Sequence, residues 1–95
     1  MTLRVVELFA GVGGFRLGLE GNPGSSRDGR YRVVFSNQWE PTTKRQHAAE
    51  IYVQRWGLIP RKEGENVYIH PEHNDDIFIN EDIAKVPVKD IPNHD

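Results

Sequence analysis

The sequence predicts an α/β fold built on a parallel sheet, of which these 95 residues hold the N-terminal part. Three observations predict it. An apolar run, Leu3 to Phe9, stops at a glycine turn; a second such run, Tyr31 to Ser36, follows one helical segment later; and a third, Asp76 to Asn80, follows another. Strands alternating with helices in this way imply right-handed crossovers and neighbouring strands that run parallel.

Taken in order, LRVVELF over Leu3 to Phe9 is rich in β-branched and large apolar residues, as a strand covered on both faces is. Gly11-Val12-Gly13-Gly14 turns the chain, Phe15 to Glu20 carries helix formers with an apolar face, and Gly21 to Arg30 reads as a loop. YRVVFS over Tyr31 to Ser36 repeats the strand signal. Pro41 is expected in the first turn of a second helix, where its missing N–H goes unneeded, and Ala48, Ala49, Tyr52, Val53 and Trp56 then recur at helical spacing. Gly57 to about Asp75 is polar and without periodicity, so a long connection is expected, and DIFIN over Asp76 to Asn80 is a weak third strand or an extended segment.

A chain of this length with 37% hydrophobic residues forms at most one small, marginally stable domain. No apolar run is long enough to cross a bilayer and no secretory h-region follows Met1, so the protein is expected in the cytoplasm, away from any membrane. Without cysteine, these residues can supply no disulfide, no thiolate metal ligand and no thiol nucleophile. The net charge is −2, with seven Lys/Arg against four Asp/Glu in residues 1–48 and five against ten in residues 49–95. Neither half is a basic face, so a grip on nucleic acid, which draws much of its strength from phosphate contacts, would lie elsewhere in a larger protein.

In an open α/β sheet, ligands bind beyond the carboxyl ends of the strands, and glycines after the first strand let a ligand approach the backbone. Glu7 to Gly14 occupies that place. From Gly11, the third position of a G-x-G-x-x-G dinucleotide fingerprint holds Arg16, which disfavours a hydride-transferring enzyme and leaves a nucleoside ligand. At the end of the second strand, Trp39 offers a flat face for a purine, and Gln38 or Glu40 offers acceptors for ribose hydroxyls; alone, Trp39 reads equally as a core aromatic. After the third strand, Asp82 can accept from an adenine amino group while Ile83 packs on the ring; alone, Asp82 reads as a turn or cap acid. His70 and His73 stand near Glu72, Asp75 and Asp76 in a polar loop without the helical placement of zinc motifs, and no metal site is expected. His47, His94 and the Arg27 to Arg32 cluster read as surface residues.

Together, ELFAGVGG with LGLE (Glu7–Gly14, Leu17–Glu20), SNQWE (Ser36–Glu40) and NEDI (Asn80–Ile83) resemble the first three motifs of the DNA cytosine-5 methyltransferases, and Ile91-Pro92-Asn93-His94-Asp95 is similar to the segment leading into that family's fourth strand. The resemblance implies an S-adenosylmethionine-dependent methyltransferase (Rossmann-like) fold and S-adenosylmethionine as cofactor. It implies that Phe9 stacks on adenine, that Gly11, Gly13 and Gly14 border the methionine part, that Trp39 packs on the other adenine face, and that Asp82 and Ile83 hold the adenine edge, with Ala10 also among the cofactor-binding residues. Glu7 replaces the family's more usual aspartate, and Gln38 stands where many members place a ribose-binding glutamate, which leaves the ribose to Gln38 or Glu40.

The family's reaction adds a cysteine thiolate to cytosine C6 so that C5 takes the methyl group, on a base flipped from the duplex. The resemblance therefore implies the cofactor-binding part of an enzyme that methylates duplex DNA in a restriction–modification system, with DNA held by the remainder of that chain. It implies no catalytic residue within residues 1–95, which end before the cysteine motif and are expected to be inactive alone. An RNA cytosine-5 methyltransferase and a non-catalytic nucleotide-binding module are the alternatives. A side chain at Gly13 is expected to fill space needed by the ligand and to leave the fold intact.

Overall fold

The computed structural model describes residues 2–24, 27–42 and 44–95; Ser25 and Ser26 of the expected loop lie outside the described residues, as do Met1 and Thr43. Strand β1 spans Leu3–Glu7, helix α1 Gly14–Glu20, strand β2 Tyr31–Asn37 and helix α2 His47–Trp56; the short strands β3, β4 and β5 span Ile59–Pro60, Val67–Ile69 and Ile77–Ile79. Single 3-10 turns follow at Ile83–Lys85 and Val88–Asp90. The strands form a five-stranded sheet in the order β1-β2-β5-β4-β3.

β1, β2 and β5 run parallel, with Glu7 opposite Ser36 and Asn37 opposite Ile79, so the carboxyl ends of all three reach one rim of the sheet. This is the α/β sheet the strand–helix alternation predicts. It is mixed rather than wholly parallel, because β3 and β4 form an antiparallel hairpin added beside β5. The long connection expected over Gly57 to Asp75 is thus corrected. Its strands have two and three residues, too short for a periodic signal, and β4 is held by what it pairs with: Val67 faces Ile79, Tyr68 faces Phe78, and the Tyr68 ring meets the Phe78 ring edge-on at 6.0 Å.

The expected start of α2 is also corrected. Pro41 lies in a turn, and the helix begins at His47. The reason is Gln46, whose side-chain amide closes the intervening loop: Glu40 N–H donates to Gln46 Oε1 at 2.7 Å and Gln46 Nε2 donates to the Glu40 carbonyl at 2.8 Å. The first helical bond then runs from Glu50 N–H to the Gln46 carbonyl.

Successive strand residues point to opposite faces, so Phe78 and Ile79 divide the core in two. On one face Phe78 joins Ala10, Ala49, Tyr52, Trp56 and Leu58 beneath the two helices; on the other, Ile79 joins Phe35 and Val86 beneath the 3-10 turns. β2 is an inner strand between β1 and β5, and Val33 to Asn37 are all buried. Among the described residues no helix is long and apolar enough to cross a membrane.

A polar network lies under the helical face. The Arg16 side chain is 2% exposed and its Nη1 and Nη2 donate to both carboxylate oxygens of Asp76, while Nε donates to Glu20 Oε1 at 3.0 Å. Its guanidinium lies 4.4 Å from the Trp56 ring centroid. Burial works against the Arg16 charge, but Asp76 and Glu20 more than offset it and keep the group protonated. The residue that breaks the dinucleotide fingerprint is therefore the one that pins α1 to α2 and β5.

Candidate cofactor site

The rim of β1, β2 and β5 brings the three candidate motifs together. After β1 the chain enters left-handed backbone at Phe9, φ 56°, and at Gly11, φ 59°. Left-handed backbone is strained for a phenylalanine, and such residues concentrate at functional sites. Its neighbours hold it there: Ala10 N–H donates to the Asn37 carbonyl at 2.9 Å, and Gly13 N–H to the Ala10 carbonyl at 3.1 Å. Phe9 is 74% exposed, although the next residue, Ala10, is buried.

The glycines divide. A Cβ built at Gly11 or Gly14 meets nothing within 4 Å, so both present open backbone. At Gly13, φ 91°, a Cβ would stand 2.5 Å from Trp56 Nε1 and 3.3 Å from the Tyr52 ring. The space beside Gly13, expected to be left for a ligand, is instead filled by Trp56 and Tyr52, so glycine here lets α1 close on α2. A groove of about 660 Å³ borders the open glycines, walled by Phe9, Ala10, Gly11, Gly14, Phe15, Gly18 and Leu19. Gln38, Trp39, Glu40, Asp82 and Ile83 stand outside its walls.

Gln38 is tied to the turn, since Gly11 N–H donates to its Oε1 at 2.8 Å. Trp39 and Glu40 are half-buried at the same rim. Asp82 caps a 3-10 turn, with Oδ1 accepting from Ala84 N–H at 3.0 Å, and Ile83 packs against the Phe35, Ile79 and Val86 cluster. Asn37, which sequence reasoning passed over, is 2% exposed and touches both outer motifs; only its position between a strand and Gln38 could have drawn notice.

Beneath the turn, Glu7 Oε1 accepts from Tyr52 OH at 2.6 Å and from Ser36 Oγ at 3.0 Å, while its buried Oε2 has no partner among the described residues. Burial pushes the Glu7 carboxyl up from its ordinary range, and the two hydroxyls and Arg16 only partly offset it. Burial likewise pushes Tyr52 up, with Arg16 opposing. The His70 and His73 rings lie 4.4 Å apart, and no group of three metal-ligating side chains occurs among the described residues.

Residues 3–95 match the family of C-5 cytosine-specific DNA methylases. The chain belongs to that family. The methylase chain is 36% identical over 93 residues to the type II methyltransferase M.HhaI of Haemophilus parahaemolyticus, covering 98% of this chain and 19% of that protein. It is 52% identical over 54 residues to the type II methyltransferase M.Sau3AI of Staphylococcus aureus, covering 57% of this chain and 12% of that one. It thus spans less than a fifth of the length of either relative. No solved structure gives a significant match to the methylase chain. The final segment reaches the edge of β1, where Asp95 N–H donates to the Arg4 carbonyl at 2.9 Å.

Proposed function

We propose that this chain is the S-adenosylmethionine-binding part of a DNA cytosine-5 methyltransferase of a restriction–modification system. The observation that carries the reading is Phe9: an aromatic ring left exposed by strained backbone at the carboxyl end of the first strand, beside two glycines with open space above them. A nucleoside-bearing cofactor gives that ring something to cover, and the strain persists because the bonds of Ala10 fix it.

The residues at the rim fit the cofactor. Phe9 and Trp39 supply aromatic faces for adenine. Asp82 keeps Oδ2 without a partner among the described residues and can accept from the adenine amino group. Gln38, its Oε1 engaged by Gly11, retains Nε2 as a donor to a ribose hydroxyl. Gly11 and Gly14 admit the methionine part against the backbone, along the apolar groove. Bound there, S-adenosylmethionine supplies the electrophilic methyl group. The residues of this chain bind and orient it, and the thiolate that would activate cytosine is not among them. DNA as substrate is supported by the family match and by the two type II methyltransferase relatives.

The test is methyl transfer from labelled S-adenosylmethionine to unmodified duplex DNA by the full-length protein, with the product nucleosides resolved by mass spectrometry. 5-Methylcytosine is the expected product, and residues 1–95 alone are expected to yield none. Transfer to RNA only, or to another base, overturns the reading.

A further inference from the structure

We infer that Asn37 is a positioning residue of the cofactor site, setting the place of Asp82 through its side-chain amide while leaving Phe9 to its main chain. The inference rests on reading the rim as an S-adenosylmethionine site. The parallel ladder between β2 and β5 ends at the pair Asn37–Ile79, so it does not itself fix the residues that follow. The Asn37 amide takes over there: Nδ2 donates to the Ile79 carbonyl at 3.0 Å and to the Glu81 carbonyl at 2.7 Å. Glu81 Oε1 accepts from Asp82 N–H at 2.8 Å. An uninterrupted path of bonds and one residue thus leads from Asn37 to the carboxylate assigned to the adenine edge. On its far side the same stretch is tied to the hairpin, where Asn80 N–H donates to the Asn66 carbonyl at 2.9 Å.

The chemistry requires an amide. One nitrogen serves two carbonyls, which a primary amide does and an aspartate of the same shape cannot, having no hydrogen to donate. With the side chain 2% exposed, truncation would leave the Glu81 carbonyl without its buried donor. The other arm of the site is insulated from such a change. Asn37 holds Ala10, next to Phe9, with its backbone carbonyl, which every substitution retains. A side-chain variant therefore separates the two arms, and a purely structural role would not.

The experiment is calorimetric titration of the full-length protein with S-adenosylmethionine, for the wild type, Asn37→Ala, Asp82→Ala, Phe9→Ala and the two doubles that contain Asn37→Ala. Loss of the bond to Glu81 should raise the Kd roughly tenfold, the order expected for one buried hydrogen bond. The same change should have less than about a twofold effect on the Asp82→Ala background and its full effect on the Phe9→Ala background, because only neighbours in one path couple. A full effect on the Asp82→Ala background, or none on the wild type, overturns the inference. Failure of the wild type to bind instead overturns the cofactor reading itself. Circular dichroism accompanies each titration, and Asn37→Ser, which keeps a donor, replaces Asn37→Ala if that variant does not fold. If neither folds, Asn37 serves the core alone and the inference is overturned.

Discussion

Arg16 and Asp76 lie 60 residues apart and meet as a buried two-point ion pair, Nη2 to Oδ2 at 2.6 Å and Nη1 to Oδ1 at 3.1 Å. The pair joins the middle of α1 to the residue before β5, so it forms only when these distant parts of the chain have come together. Removing Asp76 takes away two of the guanidinium's bonds and leaves Glu20 as its remaining buried carboxylate, beside Trp56 and Tyr52. Asp76→Ala should destabilise the full-length protein by about 3–5 kcal/mol, the range for breaking a buried pair. Urea unfolding measures it, and a loss below about 1 kcal/mol would mean that water reaches Arg16.

The glycines of the turn should respond differently to substitution. Gly13→Val places a branched side chain against Trp56 and Tyr52 at φ 91°, so melting temperature and cofactor binding should fall together. Gly14→Val meets open space, so the fold should survive while S-adenosylmethionine binding is lost. Thermal melts beside a binding titration separate the two. A stable Gly13→Val protein would return Gly13 to the ligand-facing role that the sequence alone suggests.

Glu7 makes a pH prediction whose sign follows from burial. Its folded pKa lies above the ordinary value of 4.5, so the folded state holds the proton more tightly than the unfolded state does. Between the ordinary value and the raised one, stability contributed by Glu7 falls as pH rises, and above both the loss is complete. Glu7→Gln keeps the shape and removes the titration. The stability of wild type minus that of Glu7→Gln should therefore decline from pH 4 to pH 8, as followed by denaturant unfolding. A difference that is flat or rises with pH would place a charged, satisfied carboxylate at Glu7.

Much of the fold was legible because the parallel strands announce themselves. LRVVE and YRVVFSN are continuous β-rich runs, and the glycines fall where β1 must turn. The hairpin was not, since Ile59–Pro60 and Val67–Ile69 become strands only by pairing beside β5, and Pro41 misled because Gln46 folds the loop back before the helix can begin. At the site, residue types and order were legible from motif spacing. What could not be read was which glycine faces protein and which faces space. Nor could the buried amide of Asn37 be foreseen, because a side chain's partner 44 residues away leaves no local pattern.

Phe9 should matter to the ligand and little to the fold, its ring being 74% exposed. Phe9→Ala in the full-length protein should raise the S-adenosylmethionine Kd by a factor that corresponds to about 1 kcal/mol or more of lost stacking, with an unchanged melting temperature. Unaltered affinity in calorimetry would count against the adenine assignment.

The last prediction concerns the edge of the sheet. β1 is its outer strand on one side, and among the described residues Asp95 meets that edge at Arg4, with Arg4 N–H donating to Asp95 Oδ2 at 2.7 Å and Asp95 N–H donating to the Arg4 carbonyl. Open strand edges are templates for pairing with another chain. After the carboxyl end of β1 the chain also exposes Leu8, Phe9, Val12 and Phe15, with Phe15 at 81%. An open edge and exposed apolar side chains both favour association, so residues 1–95 produced alone should self-associate with rising concentration in sedimentation velocity. Phe15→Lys should weaken that association, because it adds a charge to the groove wall and disturbs no buried contact. A stable monomer across the whole concentration range would show that the Arg4–Asp95 contact closes the edge unaided. Association unaffected by Phe15→Lys would place the contact on the β3 side of the sheet instead.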